Sequence, residues 1–117
     1  MKMRDLNFGW RIMKFSDCIA QLNTGLNPRN NFSLGKGTLK YITAKNLTKQ
    51  GTIDFSNCDS IDENAKIIIN RRSDIKIGDI LFSSRAPIGQ CHLITEAPSF
   101  YDIGESIFSI RVNQDVV

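Results

Sequence analysis

Residues 75–94, IKIGDILFSSRAPIGQCHLI, constrain the fold more than any other stretch. Gly78-Asp79 is a turn dipeptide, and the apolar run Ile80-Leu81-Phe82 that follows has strand character. Ser83-Ser84-Arg85 interrupts the hydrophobicity, Pro87 bars this point from a central strand, and Ile88 to Ile94 resumes the apolar pattern. The pattern predicts two short strands joined by a polar corner. Apolar strands belong in a buried sheet, whereas Ser-Ser-Arg belongs in water or against a polar partner. A core hairpin with an arginine on its corner is therefore expected.

A chain of 117 residues holds one domain with a real core and is too short for two. Apolar and charged shares of 41% and 23% are ordinary for a soluble globular protein. No run approaches the length of a membrane span, and MKMRDLNFGWRI lacks the apolar core and cleavage site of a signal peptide. Cys18, Cys58 and Cys91 are odd in number, widely spaced and set beside apolar residues. That suits reduced, mostly buried thiols better than a disulfide framework. The expectation is a cytoplasmic domain, or part of one, over residues 10–117, after a loose polar leader at 1–9.

The net charge of +3 says less than its distribution. Between Asp17 and Asp54 there is no acidic residue, while Arg29, Lys36, Lys40, Lys45 and Lys49 all fall inside. From Ile53 to Asn64 the sign reverses, with Asp54, Asp59, Asp62 and Glu63 and no base. A segregated basic segment suggests a positive face, for which nucleic acid is the commonest partner; lysines that merely solvate loops are the plainer alternative.

In chain order, Trp10 to Ile19 has no clean periodicity and fits a strand running into one helical turn capped by Ser16. Asn23 to Gly37, NTGLNPRNNFSLGKG, is a long loop rich in glycine and asparagine, a composition that favours recognition. Leu39 to Leu47 starts as a strand and ends in the polar Ala44-Lys45-Asn46, and Thr52 to Phe55 reads as a short alternating strand. Ser60 with Glu63 matches a capping box opening a helix over roughly 62–70, with Ala65, Ile68 and Ile69 on one side. Arg71 and Arg72 then suit either the helix macrodipole or a phosphate. SIFSIRV at 106–112 alternates, with Ile107, Ser109 and Arg111 on one face and Phe108, Ile110 and Val112 on the other. These elements make a strand-rich α+β domain, a curved mixed or antiparallel sheet or partial barrel of about six strands with one short helix.

Catalytic patterns fail on spacing. His92 is the single histidine and no C-x2-C occurs, so a metal site is not expected. Cys91 and His92 are adjacent on a strand and face opposite ways. Gly35-Lys36-Gly37 lacks the earlier glycine and the Ser or Thr of a phosphate loop. What remains is a set of polar interruptions at strand ends: Asn27-Pro28-Arg29-Asn30, Lys45-Asn46 and Ser83-Ser84-Arg85. Brought to one side, they would offer side chains suited to phosphate contacts and base-edge readout.

GLNPRNNFSLGKGTLKYITAKNL, IDENAKIIINRRSDIKIGDILFSSRAPIG and YDIGESIFSIRV, in this order, resemble the target recognition domain of type I restriction-modification specificity subunits. The likeness runs from Trp10 to Val112, and Gly78-Asp79-Ile80-Leu81 with Gly89 is its best motif. It implies a non-catalytic module that reads one half of a split duplex DNA target. Methyltransferase subunits would bring S-adenosylmethionine, and a motor or nuclease subunit ATP and Mg; no cofactor is expected on this chain. Base readout is expected at Asn27, Arg29, Asn30, Lys45 and Asn46, with Ser84 and Arg85 beside them, and phosphate contacts at Lys36, Lys40, Arg71 and Arg72. The family pattern continues past Val112 into a spacer helix. Its lack here predicts a C-terminally incomplete domain that self-associates through an apolar edge near Ile107 to Val112.

Two rivals remain. A β-domain stacking RNA or single strands would need exposed aromatics; Phe82, Phe100 and Phe108 read as buried, leaving Phe32, Tyr41 and Tyr101. An interaction or decoy fragment would engage methyltransferase subunits and bind no DNA.

Overall fold

The structure, a computed structural model, describes residues 19–112. The expected leader at 1–9, the Ser16 cap and Trp10 lie outside the described residues. The fold is α+β and strand-rich. Its strands are β1 (Ile19–Thr24), β2 (Leu39–Ile42), β3 (Asp59–Ile61), β4 (Ile80–Ser83), β5 (Cys91–Leu93), β6 (Tyr101–Ile103) and β7 (Ile107–Val112), with one helix, α1 (Glu63–Ser73). In place of a single curved sheet they form two. One is antiparallel in the order β1-β7-β4-β5, and the other has the order β3-β2-β6 with β2 and β6 parallel.

The hairpin of residues 75–94 forms in the expected place. Ile80 pairs with Leu93 and Phe82 with Cys91, and Gly78 supplies the turn before β4 at φ 93°. The split into two sheets follows from the chain between β6 and β7. Tyr101, Asp102 and Ile103 pair with β2, then Gly104-Glu105-Ser106 turns, and Ile107 onward pairs with β4 and β1. Gly104 is required there, because a Cβ would lie 2.6 Å from the Tyr41 hydroxyl.

The core is apolar and in two parts. Ile42, Leu47, Ile75, Leu81, Ile94, Tyr101, Ile103 and Ile107 form the larger cluster. Tyr41, Ile61, Ala65 and Ile69 form the other, beneath α1. Each fully buried Ile or Leu contributes about 1.5–3 kcal/mol relative to exposure. On α1, Ala65 and Ile69 are buried as expected, while Ile68 is half-buried.

The helix is tied down by a buried carboxylate. Asp102 is fully buried and accepts from Ser73 Oγ at 2.6 Å and Asn70 Nδ2 at 3.0 Å, with Lys66 Nζ 3.3 Å away. A buried charge needs such partners, and all three come from α1.

Four local expectations are corrected. Asp62, not Ser60, caps α1, accepting from Ala65 N at 2.8 Å; Ser60 sits in β3 opposite Lys40, so the cap moves two residues on. Residues 52–55 are not a strand: Ile53 makes one bridge to Leu47, and the Asp54 side chain accepts from Ser56 N to start a 3-10 turn, Phe55–Asn57. Cys91 is exposed rather than buried, and Cys58 is partly buried. Finally, β7 is not an edge. It lies between β1 and β4, so the basis for self-association through Ile107 to Val112 is removed. The two faces of β7 are as expected, with Ile107 and Ser109 buried.

Candidate nucleic-acid interface

The turn that joins the sheets is also where the polar interruptions meet. Ser106 Oγ accepts from Ala44 N at 2.9 Å, which fixes the 3-10 turn Ala44–Asn46 that carries Lys45. Ser106 O accepts from both Ser84 N at 2.8 Å and Ser84 Oγ at 3.0 Å, which fixes the hairpin corner. One residue earlier, Glu105 Oε2 accepts from Asn27 Nδ2 at 3.0 Å, and Glu105 Oε1 lies 3.3 Å from Arg85 Nη1. Segments far apart in sequence are thus held by two consecutive residues, Glu105 and Ser106.

The Asn-rich loop is built, not slack. Leu26 N donates to Ile103 O, and Tyr41 Oη donates to Leu26 O at 2.8 Å. Pro28 O accepts from Asn31 N and Phe32 N, and the Phe32 ring packs edge-on against Tyr41. Asn30 takes the left-handed conformation at φ 60°, which asparagine tolerates better than most residues. Asn27, Pro28, Arg29, Phe32 and Glu105 line a cleft of about 470 Å³. Arg29, Lys36, Lys45 and Arg85 are exposed.

The Glu105 carboxyl is held below the usual carboxylate range, first by the Asn27 hydrogen bond, which outweighs the opposing effect of desolvation, and then by Arg85 and the charge of Arg29. Tyr41 is pushed the other way, to about 12, by burial and then by Glu105 and Asp59. It remains a neutral phenol that donates to the loop.

The expected site residues therefore divide. Asn27, Arg29, Ser84 and Arg85 gather at the Glu105 turn, and Asn30 and Lys45 stand on segments anchored to it. Asn46 does not belong to a reading face. It is 1% exposed, its Oδ1 accepts from Thr43 N, and its Nδ2 donates to Asp54 O and Asn57 O. Its Oδ1 also accepts from Thr43 Oγ1 at 3.3 Å, so both donors and both lone pairs of the amide are used and none is left for a base edge. Arg71 lines a separate groove with Ile67, Ile75 and Pro98, whereas Arg72 Nε donates to Thr24 Oγ1 at 3.2 Å beside the start of the loop. Lys40 is half-buried in β2.

Aromatic exposure also differs from expectation. Tyr41 and Tyr101 are buried, while Phe100 is 45% exposed against Phe55. His92 is satisfied as expected, with Nδ1 2.8 Å from Gly51 O. Glu105 is a site residue that the sequence reading does not include. Its only sequence signal is to be the lone acidic residue between two strands that pair in different sheets. Among the described residues, no three His, Cys, Asp or Glu side chains group as a metal site. Neither a scan against models of known protein families nor a search of curated proteins returns a match for this chain.

Proposed function

We propose that this chain is a sequence-specific double-stranded DNA-binding module, the target-reading part of a type I restriction-modification specificity subunit. The observation that carries this is the attachment of the Asn27–Asn30 loop, the Lys45 turn and the Ser84-Arg85 corner to one connection, Gly104 to Ser106. Arg and Asn are the side chains suited to bidentate contact with guanine and adenine, and a rigid mounting favours readout.

In this role Asn27, Arg29, Asn30, Lys45, Ser84 and Arg85 read base edges, and Lys36, Lys40, Arg71 and Arg72 contact phosphates. The two sheets would be this chain's form of the strand-rich scaffold that the resemblance implies. The module catalyses nothing. In the prokaryotic cytoplasm it would direct methyltransferase subunits, which carry S-adenosylmethionine, and a motor or nuclease subunit that uses ATP and Mg.

The test is selection from a randomised duplex pool at several salt concentrations. Enrichment of a motif of about three to five base pairs supports the proposal. Salt-sensitive binding without enrichment reduces the chain to a basic surface. Absence of binding, with co-purification of a methyltransferase, would replace the proposal with a protein-interaction role.

A further inference from the structure

An acidic residue at the centre of a DNA-reading surface needs a reason. Glu105 sits where Asn27, Arg29 and Arg85 come together, and its side chain is 43% exposed. Its two oxygens engage one donor each, so lone pairs remain on both. A carboxylate in this position repels any phosphate that approaches the three donors, and it cancels the charge of Arg85 seen from a distance. It does not repel a base edge, which is neutral and offers amino donors from cytosine or adenine in the major groove.

Resting on the DNA-binding role proposed above, we infer that Glu105 is a specificity-determining residue that excludes phosphate from the Asn27–Arg29–Arg85 corner and reserves those donors for base edges. The guanidinium of Arg85 has five N–H groups, and the contact to Glu105 uses one. The rest can fork onto a base while Glu105 still holds the arginine in place. Without the carboxylate, Arg85 and Asn27 would settle on the nearest phosphate, a contact present at every sequence.

The test compares the wild type with Glu105→Gln, which keeps the size and an acceptor for Asn27. Two duplexes are used: one of scrambled sequence and the one the wild type selects. Glu105→Gln is expected to bind the scrambled duplex about threefold to tenfold more tightly, with the salt slope steeper by about 0.9, one added phosphate contact. Its preference for the selected duplex should fall. The gain should vanish when Arg85→Ala is added, and it should exceed that of Glu96→Gln, an exposed carboxylate on the loop after β5. Equal thermal midpoints for wild type and Glu105→Gln establish that folding is retained. Unchanged or weaker binding to the scrambled duplex overturns the inference, as does a gain that persists without Arg85 or is matched by Glu96→Gln. If neither the wild type nor Glu105→Gln binds any duplex, the DNA-binding role falls and this inference with it. Selective binding by the wild type with no change in Glu105→Gln removes this inference alone.

Discussion

Arg111 grips Asp79 through two parallel contacts, Nε to Oδ1 at 2.9 Å and Nη2 to Oδ2 at 3.0 Å. The same guanidinium reaches Asp74 O at 2.7 Å and the Gln21 side chain, so it ties β7 to the end of α1 and to β1. Asp79 also accepts from Lys76 N at 2.9 Å, and it is 1% exposed. Arg111→Ala leaves that carboxylate buried with no cation against it. The expected loss is about 3 kcal/mol of folding stability, read by urea unfolding. Lys76→Ala breaks an ion pair at the surface and is expected to cost less than about 1 kcal/mol.

This pair also explains what the hairpin sequence could and could not disclose. Gly78-Asp79 reads correctly as a turn before a strand, because turn chemistry and an apolar run are local signals. That Asp79 is a buried anchor is not local, since its cation lies 32 residues away. β1 is not legible in the sequence for a related reason. Its Asn23 side chain donates to Ser73 O and its Leu22 is 54% exposed, so the apolar alternation of a half-buried strand is absent. The polar interruptions at Asn27, Lys45 and Arg85 are legible as breaks in hydrophobicity. Their common anchor is not, because the Asn27 contact to Glu105 spans 78 residues and no short pattern encodes it.

Asn46 and Lys45 are neighbours with opposite roles. Asn46→Ala strands Thr43 N and the carbonyls of Asp54 and Asn57 in a buried turn. It is expected to cost about 1–3 kcal/mol in stability and to leave DNA affinity per folded molecule unchanged. Lys45→Ala should leave stability within about 0.5 kcal/mol and weaken duplex binding. Urea unfolding and equilibrium binding on both variants separate the roles, and an Asn46 variant of full stability would return that residue to the reading face.

Arg85→Ala is expected to relax preference at one position of the selected duplex by about 1–3 kcal/mol while leaving the salt slope close to that of the wild type. The second half follows from a place on a base edge, because a contact that neutralises no phosphate releases no counterion. Competition binding against single-base variants of the selected duplex measures the first, and a salt titration the second. A uniform loss across all variants with a shallower slope would make Arg85 a phosphate contact.

On the acid side, the Glu105 and Asp54 carboxyls are both held below their ordinary range, Glu105 by Asn27 first and Asp54 by Ser56 first. Groups lowered in the folded state add stability above their unfolded values and lose it as pH falls through the folded ones. Thermal midpoints are therefore expected to be level near neutrality and to fall below about pH 4.5. Asn27→Ala should lessen the Glu105 part of that fall, seen as a carboxyl titration shifted upward by NMR.

The alkaline side is set by the two tyrosines of the chain. Tyr41 and Tyr101 are each pushed up to about 12, mainly by burial, with Glu105 and Asp59 adding to the first and Asp102 to the second. Raised groups contribute stability that is full below their unfolded value, about 10, and lost as pH climbs through the folded value. The ultraviolet absorbance of phenolate is thus expected to stay low at pH 10 in the native chain and to rise only toward pH 12, together with loss of the fold. In guanidinium chloride the same absorbance should rise around pH 10. Tyr41→Phe removes one of the two late steps. It also leaves Leu26 O without its donor, so the Asn27–Asn30 loop should loosen and duplex selectivity should drop in the same variant. A Tyr41→Phe protein with undiminished selectivity would uncouple the loop from that hydroxyl.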